Sequence, residues 1–348
     1  MRNIVIAGGG TGGHLMPGLA VARALRDRGA GDITFVGTAR GLEARLVPEA
    51  GFRLRLISIS GLKSGGKLRR LGSVLQLPGA VGQSARILRQ TGAKVVLGIG
   101  GYASGPVLAA AALLRVPIVV LEVNAQTGLA NRLAARWVRV AAVNFPETAR
   151  DFRRAEVTGI PVRAEFFQAR EEATPPLVLV FGGSQGAHAL NQATQVMTPR
   201  VGFRILHQTG ERDYASVAAA YAGLGARVRA VPFIGDMAGA MGEAAVVVCR
   251  SGASTLGELA AARKPAILVP YPAAADQHQL RNARAYARAG AAMLLEQAEL
   301  TPASLERAVA ELLADPQRRE KMRAALAPFA HPGAAEAIAD MVAQHMRT

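Results

Sequence analysis

Two α/β domains, each a doubly wound parallel sheet and the pair facing a cleft between them, are the architecture this sequence predicts. Three observations carry that prediction. Short, fully apolar, β-branched runs alternate with helix-like stretches along the chain. Both halves open with the same device, a buried strand running into glycines that start a helix. At 348 residues the chain is also too long for one ordinary core and suits two of about 150 residues each.

The strand candidates follow in order. The first half carries Asn3-Ile4-Val5-Ile6-Ala7, Ile33-Thr34-Phe35-Val36, Val95-Val96-Leu97 and Ile118-Val119-Val120-Leu121. The second half carries Leu177-Val178-Leu179-Val180-Phe181, Arg204-Ile205-Leu206-His207, Arg227-Val228-Arg229-Ala230-Val231, Val246-Val247-Val248 and Ala266-Ile267-Leu268-Val269. Proline pairs interrupt the pattern between Gly159-Ile160-Pro161-Val162-Arg163 and Ala173-Thr174-Pro175-Pro176, which predicts domains over residues 1–160 and 164–332. Such sheets bind ligands outside the carboxyl ends of their strands, so the active site is expected in the interdomain cleft.

Half of the residues are hydrophobic and 19% are charged, the composition of a chain with a substantial core rather than a disordered or fibrous one. A formal charge of +16 suits nucleic acid, an anionic membrane surface or phosphorylated substrates. Nucleic acid is set aside: aromatics are only 5%, with one tryptophan and no Cys–His grouping, so stacking platforms and zinc modules are missing. The single cysteine, Cys249, excludes an internal disulfide, fits a reducing compartment, and closes an apolar run that reads as a buried strand. The N-terminal stretch reads as a first strand and not as a secretion signal. The longest apolar stretch, residues 107–114, falls short of the roughly 20 residues that span a bilayer, so any membrane contact is expected to be peripheral.

Gly8-Gly9-Gly10-Thr11-Gly12-Gly13 satisfies the dinucleotide pattern G-x-G-x-x-G. An NAD site wants an acidic residue at the end of the second strand, but Phe35-Val36 runs into Gly37-Thr38-Ala39-Arg40, with Glu43 only later in a helix-like segment. Arg40 can meet the extra phosphate of NADP, so an NADP-dependent oxidoreductase stays open. No P-loop sequence is present. What the loop chemistry supports is anion binding, because glycines admit close backbone approach and a helix N-terminus offers N–H groups and partial positive charge. Three further loops share the trait: residues 98–105, residues 182–186 and residues 250–258. For any one of them, tight strand-to-helix packing is the alternative.

In the last loop, Ser251 to Thr255 are suited to cap the next helix and cradle a diphosphate. Glu258, one turn in, is either a first-turn dipole partner or an acceptor for two ribose hydroxyls. His14 follows the first loop, where a helix N-terminus disfavours imidazolium, so it is either a structural histidine or a neutral general base. His188, His207, His331 and His345 lack metal-ligand spacing and there is no Asp-x-Asp, so neither a fixed metal nor a tightly bound cofactor is expected.

Gly9-Gly10-Thr11-Gly12-Gly13-His14-x-x-Pro17-Gly18, Gly98-x-Gly100-Gly101-Tyr102-x-Ser104-Gly105-Pro106, Gly182-Gly183-Ser184-Gln185-Gly186-Ala187 and Cys249-Arg250-Ser251-Gly252-Ala253-x-Thr255-x-x-Glu258 occur in this order. Together they resemble the bacterial UDP-N-acetylglucosamine transferases that make lipid II from lipid I in peptidoglycan synthesis, over nearly the whole chain. Where that family often has His-Glu-Gln-Asn, this chain has Leu121-Glu122-Val123-Asn124.

The resemblance implies the GT-B architecture of two Rossmann-like domains, with the acceptor on the first and the donor mainly on the second. It implies that Thr11, Gly12, Gly13, Asn124, Arg163, Ser184, Ile234, Ala253, Ser254, Thr255, Leu256, Gly257, Glu258 and Gln279 line the UDP-N-acetylglucosamine site. Asp276 and Asn282, which flank His278-Gln279, are equally readable as helix caps. The implied reaction is inverting: the 4-hydroxyl of the muramoyl sugar attacks the anomeric carbon, giving a β-1,4 bond and UDP. His14 is the candidate base and Glu122 the second candidate. The final helical segment, residues 334–348 after Pro332-Gly333, is expected to cross back to the first domain.

The implied acceptor, lipid I, carries a polyprenyl chain, so the enzyme is expected peripherally on the cytoplasmic face of the bacterial inner membrane. Residues 62–90 suit an anionic phospholipid surface: Leu68, Leu71, Val74, Leu75, Leu77 and Val81 alternate with Lys63, Lys67, Arg69, Arg70, Arg86 and Arg89. A solvated basic loop followed by an amphipathic helix packed on the sheet is the alternative. Another GT-B transferase with a different sugar nucleotide or lipid acceptor, and a non-enzymatic nucleotide-binding module, also remain open.

Overall fold

The computed structural model describes residues 3–59, 76–168, 170–197 and 202–346. The chain forms two compact units, Met1–Val162 with Gly333–Thr348, and Arg163–Pro332.

The strands of unit 1 are β1 (Asn3–Gly8), β2 (Asp32–Gly37), β3 (Arg53–Leu56), β4 (Val95–Gly100), β5 (Ile118–Glu122), β6 (Val138–Val143) and β7 (Ala155–Val157). They pair in parallel in the order β3-β2-β1-β4-β5-β6-β7. Helices α1 (Gly12–Asp27), α2 (Glu43–Glu49), α3 (Leu77–Thr91), α4 (Ser104–Leu113), α5 (Leu129–Ala134) and α6 (Pro146–Ala149) alternate with them. Ile4, Val5 and Ile6 are successive residues and all are buried, which is why the central strands read as continuous apolar runs rather than alternating ones. One face of the sheet packs Val5, Val96 and Val120 with Val107, Leu108 and Ala111 of α4 and Ile87 and Leu88 of α3. Each such aliphatic side chain contributes roughly 1.5–3 kcal/mol by leaving water.

Unit 2 repeats the plan with β8 (Leu177–Phe181), β9 (Arg204–Gln208), β10 (Val228–Val231), β11 (Ala244–Cys249), β12 (Ala266–Leu268) and β13 (Met293–Leu294), all parallel in the order β10-β9-β8-β11-β12-β13. Its helices are α7 (His188–Val196), α8 (Glu211–Tyr221), α9 (Met237–Glu243), α10 (Ala253–Ala262), α11 (His278–Arg288), α12 (Pro302–Ala314) and α13 (Pro316–Leu326). Cys249 is fully buried at the end of β11, and burial raises its thiol pKa. The last helix, α14 (Ala334–Gln344), belongs to unit 1, where it lies against α1 and Asp340 pairs with Arg28 at 3.0 Å.

In each sheet the chain builds outward from its first strand in one direction, then returns to that strand's other side. The order reverses between β1 and β4 in unit 1 and between β8 and β11 in unit 2. Those two switch points are where a doubly wound sheet opens a crevice at its carboxyl edge. The four strands that flank them run directly into the four glycine loops of the sequence.

Candidate functional site

At the switch point of unit 1 the two glycine loops touch. The Gly9 N–H donates to the Gly100 carbonyl at 3.3 Å, and a Cβ on Gly8 or on Gly101 would collide with the opposite backbone. Gly101, at φ +81°, combines the close approach with a backbone conformation that side chains resist. Thr11 is exposed in extended conformation ahead of α1; Gly12, Gly13 and His14 form its first turn and are half-buried. The His14 ring lies over Gly100, where an added Cβ would stand 2.8 Å from Nδ1. No acidic residue of α1 itself sits in its first turn, beside His14.

Glu43 shapes this edge in a way sequence reasoning missed. It is fully buried, and its carboxylate accepts from the Gly10 N–H at 2.7 Å, the Thr38 N–H at 2.9 Å and the Thr38 hydroxyl at 3.0 Å. The Thr38 hydroxyl also meets the Tyr102 hydroxyl at 3.0 Å, which joins both loops to one network. The available signal was a glycine trio: Gly9, Gly37 and Gly41 leave the space the carboxylate fills. The acid missing from the end of β2 therefore enters one helix later and turns into the loop. An NADP site would need the Gly10 N–H that Glu43 takes.

Glu122, at the end of β5, is also buried. Its oxygens accept from the Asn124 N–H at 3.1 Å, the Asn124 amide at 3.5 Å, the Gly128 N–H at 2.9 Å and the Asn131 amide at 3.0 Å. Burial raises its pKa, and those hydrogen bonds pull the other way. The arrangement folds the segment after β5 back over α5 and fixes Asn124 at the sheet edge. A base role for Glu122 would have to break this set of bonds.

In unit 2 the 182–186 loop follows β8 with Ser184 exposed, and Gly186 at φ +71° presses on the Thr209 carbonyl. Gln208, 2% exposed at the end of β9, reaches across: its Nε2 donates to the Gly183 carbonyl at 3.0 Å and its Oε1 accepts the Ile234 N–H at 2.8 Å. A ligand meeting Ile234 therefore uses its carbonyl or displaces Gln208. Behind this edge, a chain of polar contacts runs inward from exposed His188 through Asp213, Asn191 and His207 to Tyr221, and burial holds the His207 pKa down at about 4.

On the other side of β8, the 250–258 loop corrects one expectation. Neither Ser251 nor Thr255 caps α10. Its N-cap is Gly252, with no side-chain cap bond, while the Ser251 hydroxyl donates to the Gln279 carbonyl at 2.8 Å. Without an acid in the first turn, the N–H groups of Ala253, Ser254 and Thr255 present the helix's positive end. Leu256 and Gly257 are buried behind them. Arg250 points inward, donating to the carbonyls of Val269 and Pro270 at 2.9 and 3.2 Å and to Gln297 at 2.7 Å, so it braces the sheet edge. Asn282 is fully buried and donates to the Ser251 carbonyl at 3.3 Å rather than capping a helix. The Gln279 Oε1 accepts the Tyr271 N–H at 2.9 Å, and the turn before it holds Asp276 and Gln277 at positive φ, 52° and 53°.

Glu258 is half-buried, and burial pushes its pKa up to about 7 while Arg163 pulls it down. Arg163 is exposed, with its guanidinium 5.0 Å from the Phe166 ring centre. A carboxylate poised there exchanges water for ligand hydroxyls at little further cost in desolvation. Among the described residues no group of three His, Cys, Asp or Glu is placed to hold a metal ion.

Of the membrane-facing candidates, Lys63, Lys67, Leu68, Arg69, Arg70, Leu71, Val74 and Leu75 lie outside the described residues. Leu77 and Val81 are half-buried on α3, with Arg86 and Arg89 exposed. The neighbouring α4 and α5 region exposes Leu113, Leu133 and Trp137, at 75%, 67% and 43%, among exposed Arg115, Arg132, Arg136 and Arg139. No described helix is long and apolar enough to cross a membrane.

Two Rossmann-like parallel-sheet units, each with paired loops at its switch point, and a helix start beside a poised carboxylate define a glycosyltransferase of the GT-B class. Residues 4–143 match the family model "Glycosyltransferase family 28 N-terminal domain", and residues 177–340 match "Glycosyltransferase family 28 C-terminal domain". The chain is 47% identical to a UDP-N-acetylglucosamine–N-acetylmuramyl-(pentapeptide) pyrophosphoryl-undecaprenol N-acetylglucosamine transferase of Anaeromyxobacter sp. (strain Fw109-5), covering 99% of this chain and 93% of the relative. It is 42% identical to the protein of the same description from Syntrophus aciditrophicus (strain SB), covering 97% of each. Among solved structures it is similar to MurG of Acinetobacter baumannii, with a TM-score of 0.82, 30% identity, and 99% and 100% of the two chains covered. The chain belongs to glycosyltransferase family 28, among these N-acetylglucosamine transferases.

Proposed function

We infer that this protein transfers N-acetylglucosamine from UDP-N-acetylglucosamine to the 4-hydroxyl of the muramoyl sugar of undecaprenyl-pyrophosphoryl-MurNAc-pentapeptide. The products are UDP and the β-1,4-linked disaccharide lipid of peptidoglycan synthesis. The observation that carries this reading is the 47% identity, over 99% of the chain, to a relative with that named activity.

The residues fit the chemistry. The acceptor O4 attacks the anomeric carbon as its proton passes to His14, the bond from that carbon to the β-phosphate oxygen breaks, and the electron pair leaves with UDP. The departing charge is met by the first-turn N–H groups at Ala253, Ser254 and Thr255 and by Ser184. Glu258 takes the ribose hydroxyls, the Ile234 segment the uracil edge, and Gln279 the sugar hydroxyls, with Arg163 adding positive charge. Thr11, Gly12, Gly13 and Asn124 supply donor contacts from unit 1. No resident metal is needed in this scheme, because helix N-termini do the work a cation would do.

The acceptor's lipid places the enzyme peripherally on the cytoplasmic face of the inner membrane, and no nucleic acid is a partner. Leu113, Leu133 and Trp137 with their surrounding arginines, together with Leu77, Val81, Arg86 and Arg89, support contact with an anionic phospholipid surface.

Release of UDP from UDP-N-acetylglucosamine, dependent on a lipid I analogue and unchanged by EDTA, tests the reaction. Absence of acceptor-dependent release with both substrates saturating overturns it, and loss of activity in EDTA overturns the metal-free scheme. Flotation with anionic liposomes at low salt tests the surface; protein left at the bottom of the gradient defeats it.

A further inference from the structure

Strand β9 ends in two buried polar residues, His207 and Gln208, and Thr209 just beyond it is a third, at 0%, 2% and 1% exposure. A strand covered on both faces ordinarily ends in apolar residues, because a buried polar group without partners costs about 1–3 kcal/mol. Here each one is satisfied, and each ties down a different element. His207 meets Tyr221 of α8 at 2.9 Å and Asn191 of α7 at 3.0 Å. The Thr209 carbonyl accepts the Asn191 amide at 2.8 Å, and its N–H donates to Val231 of β10 at 3.0 Å. Gln208 alone links two ligand-facing segments, the 182–186 loop after β8 and the Ile234 segment after β10.

We propose that Gln208 is a positioning residue for the donor: it fixes the spacing between the loop that meets the diphosphate and the segment that meets the base. The inference rests on the donor reading of unit 2 given above. β9 lies between β8 and β10, so a side chain at its carboxyl end stands between the loops that follow its two neighbours and can reach both. Only a carboxamide of this length serves both partners, since one needs a donor and the other an acceptor. Glutamate keeps an acceptor for Ile234 but turns an oxygen toward the Gly183 carbonyl and brings negative charge to a phosphate-facing loop. Leucine leaves both backbone groups without a partner, and asparagine is one methylene too short to reach both.

The test is steady-state kinetics of the full-length protein, varying donor and acceptor separately, for Gln208→Glu, Gln208→Leu and Gln208→Asn. Expected is a donor KM raised about tenfold or more in Gln208→Glu and about three- to tenfold in the other two. The acceptor KM should stay unchanged and kcat should stay within about threefold. A merely structural role would lower the active fraction, and thus the apparent kcat, while leaving donor KM alone. That pattern, or an unchanged donor KM in any folded variant, overturns the proposal. Should Gln208→Glu and Gln208→Leu fail to fold, the milder Gln208→Asn decides by the same criterion. If no variant folds, the residue is a fold determinant and the proposal falls. Thermal stabilisation of the wild type by UDP-N-acetylglucosamine separates the two layers: its absence sinks the donor reading, whereas equal stabilisation of wild type and Gln208→Asn sinks the role of Gln208 alone.

Discussion

The two switch points are built from the same strand–glycine–helix device, yet they are braced by opposite chemistry. In unit 1 the loop is held by a buried carboxylate, Glu43, that accepts its Gly10 N–H. In unit 2 the matching loop is held by a neutral carboxamide, Gln208, that takes a carbonyl and brings no charge. A phosphate approaching the first loop meets an engaged N–H with negative charge behind it; at the second, the Gly186 N–H is also engaged, by the Gly183 carbonyl at 3.0 Å, but the bracing Gln208 brings no charge. Likeness of sequence pattern therefore hides a division of labour: the second loop suits the anion, while the first positions His14 on Gly100. The helices after β4 and β11 differ too, since only α10 carries a half-buried carboxylate, Glu258, within two turns of an uncapped start.

The largest expected effect separates chemistry from binding at the first edge. His14→Ala should lower kcat by about 10²- to 10⁴-fold while leaving donor KM within about twofold. Acceptor-dependent UDP release reads it. Near-normal turnover would move the base elsewhere and make the unit 1 loop purely structural.

Next comes the carboxylate of the second edge. With a pKa near 7, Glu258 changes charge across the working range, and in the proposed donor site only the ionised form offers an acceptor oxygen to each ribose hydroxyl. Donor KM should therefore fall as pH rises through about 7, and in Glu258→Gln it should be about 10- to 100-fold higher and lose that pH dependence. The stability sign is opposite. A carboxyl whose folded pKa is raised stabilises the fold fully below its ordinary value of 4.5, and that contribution is lost as pH rises to about 7. Glu258→Gln is thus expected to unfold at a higher temperature than the wild type at pH 8, without ligand. A wild-type donor KM that stays flat between pH 6 and 8 would remove Glu258 from the ribose.

Much of this was legible in the sequence, for definite reasons. Runs such as Ile4-Val5-Ile6 and Val246-Val247-Val248 are local, and burial on both faces writes itself into every residue, so both parallel sheets could be read directly. The glycine loops were legible because they mark strand ends, and the topology adds that they flank the switch points. What sequence could not give are contacts between distant residues: Glu43 reaching Gly10, Gln208 joining Gly183 to Ile234, and Arg250 turning inward to the Val269 carbonyl. Each is a buried polar side chain whose partners are set by the fold. Ser251 shows the opposite error, because a serine just before a helix looks like a cap, yet its hydroxyl serves the Gln279 carbonyl.

The smallest expected effect on activity is the sharpest test of the contrast between the loops. Glu43→Gln keeps the volume and an oxygen acceptor but removes the charge and faces one N–H₂ toward donors, so a buried bond is lost at about 1–3 kcal/mol. For a chain of this size that lowers the melting temperature by a few degrees, read by calorimetry or dye binding. If the first loop holds no phosphate, donor KM stays within about twofold, since no ligand charge lies near enough to sense the carboxylate. If donor KM falls severalfold instead, the carboxylate was opposing a phosphate at this loop. Unit 1 would then bind anions as unit 2 does, and the proposed division of labour would be wrong. Removing Glu43 altogether is less informative, because its carboxylate fills the space left by Gly9, Gly37 and Gly41 and Glu43→Ala would leave an unfilled cavity.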